Sequence, residues 1–179
     1  MKKYFDEIKR SMDFLGKKKD TIFIGQAVEV AGTAMSNTLK NVSKKKLMEL
    51  PVAEEMQMGM SLGLAMDGYV PISIFPRWNF LLCGINQLIN HIDKFKSMAG
   101  SKFKPKIIIR TSIGSQRPLH PQNQHVGDFS SAIQKMCTTI EVIKLVKPDD
   151  IFSSYKKAYE RKDGKNTIIV EYGDYYREK

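Results

Sequence analysis

The chain alternates between two hydrophobic periods, and this alternation constrains its fold more than any other property. Tyr4, Phe5, Ile8, Met12 and Leu15 recur at helical spacing until Gly16, and the short apolar run Thr21-Ile22-Phe23-Ile24 then ends at Gly25. The same exchange repeats down the sequence. Strand-like runs occupy Leu47-Met48-Glu49-Leu50, stopped by Pro51, then residues 70–75, Ile107-Ile108-Ile109, 141–146 and 167–170. Between them, helical spacing predicts helices over 34–42, 52–66 and 79–98, and another that starts at Pro148 and holds Ile151, Phe152, Tyr155, Ala158 and Tyr159. Strands alternating with helices, several strands wholly apolar, predict one three-layer α/β domain over residues 1–179. Its sheet is mostly parallel, with helices on both faces. No internal repeat or linker interrupts it.

In such sheets ligands bind outside the carboxyl ends of the strands. Three irregular stretches begin there: 25–33, 75–78 and a long one over 111–128, rich in Gly, Pro, Ser, Gln and Asn. Loops of that length in a compact domain are functional or disordered. Charge adds a second clue, since 29 Lys+Arg face 19 Asp+Glu, a net charge of +10. Much of it sits in clusters: Lys17-Lys18-Lys19, Lys44-Lys45-Lys46, residues 102–106 and Lys156-Lys157. Such runs read first as solvated surface, and second as a basic patch facing an acidic partner. No zinc spacing, RNP-like aromatic sequence or helix-turn-helix accompanies them, so nucleic acid is not expected. No apolar run approaches a membrane span. Two cysteines and the absence of an apolar leader after Met1-Lys2-Lys3 predict a reducing cytoplasm.

Phosphate-binding glycine loops and the G-x-S-x-G elbow are missing from the sequence. Gly59 and Gly63 form G-xxx-G inside a helical segment, which reads as close helix packing. His91 lies in the long helical segment and reads as surface or packing, whereas His120 and His125 lie in the 111–128 loop, where sites concentrate. Glu54 follows Pro51-Val52-Ala53 directly after a strand. A first-turn carboxylate there gains less than about 1 kcal/mol from the helix dipole. Glu55 can fill that role, leaving Glu54 free to point along the strand ends.

Several segments together resemble a known family. They are Leu50-Pro51-Val52-Ala53-Glu54, continued by Met58-Gly59-Met60-Ser61-Leu62-Gly63-Leu64-Ala65-Met66-Asp67-Gly68-Tyr69-Val70-Pro71, then Phe75-Pro76-Arg77-Trp78-Asn79-Phe80 and Ile85-Asn86-Gln87-Leu88-Ile89-Asn90. In this order they resemble the pyrimidine-binding domain of thiamine-diphosphate enzymes. They look most like the beta subunit of the decarboxylase component of 2-oxo acid dehydrogenase complexes. Ile22-Phe23-Ile24-Gly25, Gln124-His125, Lys147-Pro148-Asp149-Asp150 and Ile168-Ile169-Val170-Glu171 extend the match along nearly the whole chain. The resemblance implies that Glu54 is the carboxylate hydrogen-bonded to the pyrimidine N1′. Such a bond favours the imino tautomer that removes the thiazolium C2 proton. It further implies that Phe80 and Gln26 bind the cofactor, that His125 acts on bound intermediates, and that His120 and Gln124 lie near substrate. Within the chain no residue is assigned to a metal.

The departures shape the expected function. Gln26 stands where the family usually has an acidic residue, Asn86 where it has Asp, and Gln124-His125-Val126-Gly127 where it has Q-H-S-Q. The family's beta subunit continues into a further domain. Its diphosphate and Mg2+ are held by a separate G-D-G…N motif, which this sequence lacks. The expected protein is therefore a pyrimidine-binding subunit of a two-component enzyme for 2-oxo acid decarboxylation or two-carbon transfer. Its expected partner is a diphosphate-binding, alpha-like subunit carrying that motif and Mg2+, in a heterotetramer or with a homodimer of this chain. The competing expectation is a catalytically degenerate domain with a structural or regulatory binding role.

Overall fold

The strands pair only in parallel, in the order β2-β1-β3-β4-β6-β5. They are β1 (Thr21–Gly25), β2 (Leu47–Glu49), β3 (Val70–Ile74), β4 (Ile108–Ile113), β5 (Ile140–Lys144) and β6 (Asn166–Tyr172). The computed structural model describes residues 3–30, 33–100, 103–117 and 120–178. Ala31, Gly32, Ser101, Lys102, Pro118 and Leu119, which belong to loops and a lysine cluster picked out from the sequence, lie outside the described residues.

Helices cover both faces, as the wholly buried pattern of β3 requires. On one face α1 (Tyr4–Gly16) and α7 (Pro148–Glu160) pack with α2 (Ala34–Asn37) and α8 (Tyr175–Glu178). Ile8, Met12, Leu15, Met35, Ile151 and Tyr155 meet Phe23, Ile72, Ile108 and Ile169 there. The other face carries α3 (Glu54–Met66), α4 (Trp78–Cys83), α5 (Phe95–Met98) and α6 (Ser130–Met136). Met58, Trp78, Leu81, Leu88 and Ile133 cover Ile107, Ile109 and Ile168.

Several boundaries differ from the sequence reading. The predicted helix over 79–98 is broken. Gly84 follows α4, a π-helical turn runs over Gln87–Ile92, and α5 is short. The π register is visible where the Asp93 N–H donates to the Leu88 carbonyl at 2.9 Å. Gly84 belongs at the break because a Cβ there would lie 3.1 Å from the Glu54 carbonyl oxygen and from Met58 Cγ. The predicted 34–42 helix shrinks to α2, with Thr33 and Ser36 forming a reciprocal capping box, and α3 starts two residues after Val52. Strand β4 runs on through Arg110, Thr111 and Ser112, where the loop was expected to begin, and α6 and α8 went unread.

Arg110 and Glu171 explain why polar residues occupy those central strands. Both are fully buried, and Arg110 donates to the two Glu171 carboxylate oxygens at 2.6 and 3.0 Å. Thr38 Oγ1 accepts from Arg110 at 2.9 Å, and the hydroxyls of Tyr155 and Tyr176 donate to Glu171. Burial lowers the Arg110 proton affinity, but the adjacent Glu171 carboxylate outweighs this and holds the guanidinium well above its ordinary pKa. Glu171→Gln leaves that cation without its counter-charge. The expected loss is about 3–5 kcal/mol of stability, read as a lower urea midpoint at unchanged m-value.

Candidate functional site

Because the strands are parallel, the segments that follow them emerge along one edge, and there the side chains singled out from the sequence assemble. After β1 the chain turns at Gly25, whose φ is +154°. A Cβ there would lie 2.4 Å from the Ile74 carbonyl oxygen, so only glycine lets β1 and β3 end side by side. Ala27 then adopts a left-handed φ of 56°. Glu49 holds this turn: its carboxylate accepts the N–H groups of Ala27, Val28 and Glu29 at 2.6, 2.8 and 2.8 Å. The Leu50 N–H donates to the Gly25 carbonyl at 2.9 Å, which ties the ends of β1 and β2 together. Gln26 is thereby fixed beside the start of α3.

Residues Pro51, Val52 and Ala53 lead from β2 into α3, and Glu54 occupies its first turn. Gln57 sets the helix against the sheet, since its amide donates to Ser73 Oγ and to the Ile74 carbonyl, both at 3.0 Å. Glu54, Gln26, Ala53, Phe75, Pro76 and Phe80 line one narrow cleft. Among the described residues the half-buried Glu54 carboxylate has no hydrogen-bond or ion-pair partner. A carboxylate beside apolar walls is disposed to take a donor from a ligand.

The long loop after β4 reaches the same place. His125 lies over Phe80, with ring centroids 5.5 Å apart and planes tilted by 40°. Arg77 donates to the His125 carbonyl at 3.2 Å, and Gln124 Nε2 lies 3.4 Å from His125 Nε2. The buried Nδ1 of His125 has no partner among the described residues. The loop's first residues are held by Asp174, which accepts the N–H groups of Gln116 and Arg117 at 2.8 and 3.2 Å. Among the described residues His120 makes a local contact, accepting the Gln122 N–H at 3.1 Å. The structure thus brings Gln26, Glu54, Phe80, His125 and Gln124 into one neighbourhood, and gives His120 no contact with the cleft residues.

Sequence reasoning missed Glu49, Gln57 and Arg77. Glu49 sits in a run read as a short strand, and nothing local announces that its carboxylate holds a distant turn. Arg77, beside Pro76, borders a second cleft of about 210 Å³ with Ser112, Ser115, Gly173 and Tyr176. Burial pulls its pKa below the ordinary guanidinium value, partly offset by Asp174. Among the described residues no group of three His, Cys, Asp or Glu side chains is placed to hold a metal ion.

Comparison with known proteins bears on the family and the fold. Residues 4–177 match the family described as the pyrimidine binding domain of transketolase. The chain is 28% identical over 142 residues to the mitochondrial pyruvate dehydrogenase E1 component subunit beta of Ascaris suum, covering 77% of this chain and 38% of that protein. It is 30% identical over 134 residues to the corresponding subunit of Gracilaria tenuistipitata var. liui, covering 72% of this chain and 42% of the relative. The chain therefore spans less than half the length of these relatives. Among solved structures it superimposes on a split-gene transketolase, an inactive beta4 tetramer, with TM-score 0.72 at 13% identity, covering 94% of this chain and 50% of that one. A putative thiamin diphosphate-dependent enzyme from Mycobacterium smegmatis gives TM-score 0.62 at 11% identity, covering 98% of this chain and 31% of that one.

The Glu49 bonds carry a direct test. Glu49→Ala removes the acceptor of three N–H groups, at a cost of about 1–3 kcal/mol for each that stays buried and unpaired. Amide hydrogen exchange at Ala27, Val28 and Glu29 should accelerate, while the amides of β3 and β4 keep their protection.

Proposed function

The chain belongs to the transketolase pyrimidine-binding domain family, and from that premise we propose that it is the pyrimidine-binding subunit of a two-component thiamine-diphosphate-dependent enzyme. The reaction class is decarboxylation of a 2-oxo acid or transfer of a two-carbon acyl or ketol unit. One observation carries the reading: among the described residues Glu54 stands unpartnered in the first turn of α3, at the carboxyl edge of the sheet, in a cleft walled by Phe75, Pro76 and Phe80. Those residues suit an aminopyrimidine, which needs an apolar face and a carboxylate at N1′. They supply nothing for a diphosphate and its metal. That half, with Mg2+, is assigned to a partner subunit bearing a G-D-G…N motif and covering the same edge.

When bound, the cofactor supplies an acidic carbon and an electron sink. The residues of this chain do the rest. Glu54 holds a proton between its carboxylate and the pyrimidine N1′, Phe80 keeps water from that bond, and Gln26 lines the same wall. His125, tilted over Phe80, is the proposed group for exchanging a proton with a substrate oxygen beyond the ring. Cys83 and Cys137 are both free thiols, which suits the reducing cytoplasm proposed as the setting.

Assembly is proposed through α3. On α3, Met56, Gly59, Gly63 and Met66 recur at spacings of three, four and three, and Val52 lies just before the helix. Val52, Met56 and Met66 are 66%, 43% and 47% exposed, and nothing lies within 4 Å of a Cβ built at Gly59 or Gly63. The close helix packing expected of these glycines is therefore not met among the described residues. A second copy of the same helix, related by a two-fold axis, is the occupant whose small residues match. A Cβ at Gly59 has nothing within 4 Å among the described residues, so Gly59→Leu should keep its fold. Analytical ultracentrifugation should show a shift to smaller species, and unchanged assembly removes α3 from the interface.

Three measurements test the chemistry. The chain alone should bind thiamine diphosphate weakly in calorimetry, even with Mg2+. In the complex with its partner, Glu54→Gln should lower turnover at least about a hundredfold with cofactor affinity little changed. It should also slow exchange of the cofactor C2 proton for deuterium. Exchange as fast as in the unmodified complex would reject the role of Glu54 and leave the catalytically degenerate domain as the better reading.

A further inference from the structure

The segments that precede the parallel strands emerge along the opposite, amino edge of the sheet, and they carry the lysine clusters. Lys17, Lys18 and Lys19 precede β1, and Lys44, Lys45 and Lys46 precede β2. Lys104 and Lys106 precede β4, and Arg161, Lys162 and Lys165 precede β6. Clusters scattered in the sequence are thus brought to one side of the molecule by strand direction alone.

Contacts join them into a continuous belt. Lys46 Nζ donates to the Lys18 carbonyl and, at 3.0 Å, to the Thr21 carbonyl. Lys18 Nζ sits 4.4 Å from the Phe14 ring centroid and 5.2 Å from that of Tyr159. Lys106 Nζ lies 5.2 Å from the same Tyr159 ring and donates to the Tyr159 carbonyl at 2.5 Å. Lys96 Nζ donates to the Asp163 carbonyl at 3.2 Å, beside Gly164, against which Lys104 also packs. Burial, together with the neighbouring Lys162 and Arg161, pulls the Lys106 pKa down, while Asp20 opposes them. Crowding like charges is unfavourable unless a counter-charge screens them. Lys17, Lys19, Lys44, Lys45, Lys104, Lys162 and Lys165 remain exposed.

We propose that this lysine belt along the amino edge is a docking surface for an acidic protein segment, on the side of the molecule opposite the Glu54 cleft. Three observations favour a protein over the other polyanions. Lysine ammonium groups already cover the Phe14 and Tyr159 rings, so these are not open platforms for stacking bases. Exposed Asp67, Glu160 and Asp163 lie among the lysines, where they repel a phosphate backbone or an anionic bilayer but suit a protein surface of mixed charge. Tyr69, Met98 and Phe103 are exposed on the segments leading to β3 and β4, and such side chains anchor protein interfaces.

The test uses the full chain at physiological ionic strength. Its probes are a Glu/Asp-rich peptide, a single-stranded oligonucleotide of equal charge and phosphatidylserine vesicles. The peptide should bind with marked salt dependence. The double variants Lys44→Glu/Lys45→Glu and Lys104→Glu/Lys162→Glu should each weaken it about tenfold or more. Lys147→Glu/Arg177→Glu makes the same change in net charge at the carboxyl edge and should alter binding less than about threefold. Circular dichroism checks that each variant is folded, and the neutral Lys44→Gln/Lys45→Gln pair should give an intermediate loss. An equal effect of the carboxyl-edge variant, or no peptide binding, overturns the proposal. So does tighter binding of the oligonucleotide or vesicles than of the peptide, which assigns the belt to those surfaces instead.

Discussion

The buried pair of Arg110 and Glu171 is the constraint on which the rest of this structure depends. Two full charges in the middle of a sheet are tolerated only when each is paired and every remaining donor is met. Here that demand recruits distant parts of the chain: Thr38 beyond α2, Tyr155 on α7 and Tyr176 on α8 all bond to the pair. Strands β4 and β6 cannot slip against each other, because a shift of one residue would turn Arg110 and Glu171 to opposite faces. The fixed register then reaches the cleft. Ser112, two residues beyond Arg110, donates to the Pro76 carbonyl at 2.7 Å and sets the turn from which Arg77 and Phe80 start.

Parallel strands also divide the labour between the two edges. Everything that faces the proposed pyrimidine site follows a strand, and the lysine clusters of the proposed belt precede one. Carboxylates hold the irregular segments in shape: Glu49 for the turn after β1, Asp174 for the start of the long loop, and Asp128 for the entry to α6 through Ser130. Asp93 does the same at the amino edge, accepting the N–H groups of Thr138 and Thr139 at 2.8 and 2.7 Å. Each replaces missing secondary-structure bonds with charge-assisted ones.

What the sequence made legible follows from which forces are local. The apolar cores of β1, β3, β4 and β6 were readable because β-branched runs buried on both faces carry their own signature. The end of β4 was not, since Arg110, Thr111 and Ser112 look like loop until Glu171 is known to lie beside them. The helical period over 79–98 was real, yet the contact of Gly84 with α3 and the π turn broke it, and both are tertiary effects. Glu54, Gln26 and Phe80 were found through the order of motifs rather than through any one residue's chemistry. Glu49 and Gln57 escaped because a positioning residue leaves no local pattern: it shows only in the bonds it makes across the fold.

The two edge strands of the sheet have a consequence of their own. Unpaired strand edges invite other chains to add to the sheet, and proteins blunt them by shortening or charging them. Strand β2 has three residues between Lys44-Lys45-Lys46 and Pro51. Strand β5 carries Glu141, bound to Lys157 and Arg161 at 2.7 and 3.0 Å, and ends in the exposed Lys144. Neither offers a long apolar template. Sheet extension from chain to chain, and the fibrous growth it leads to, is thereby discouraged.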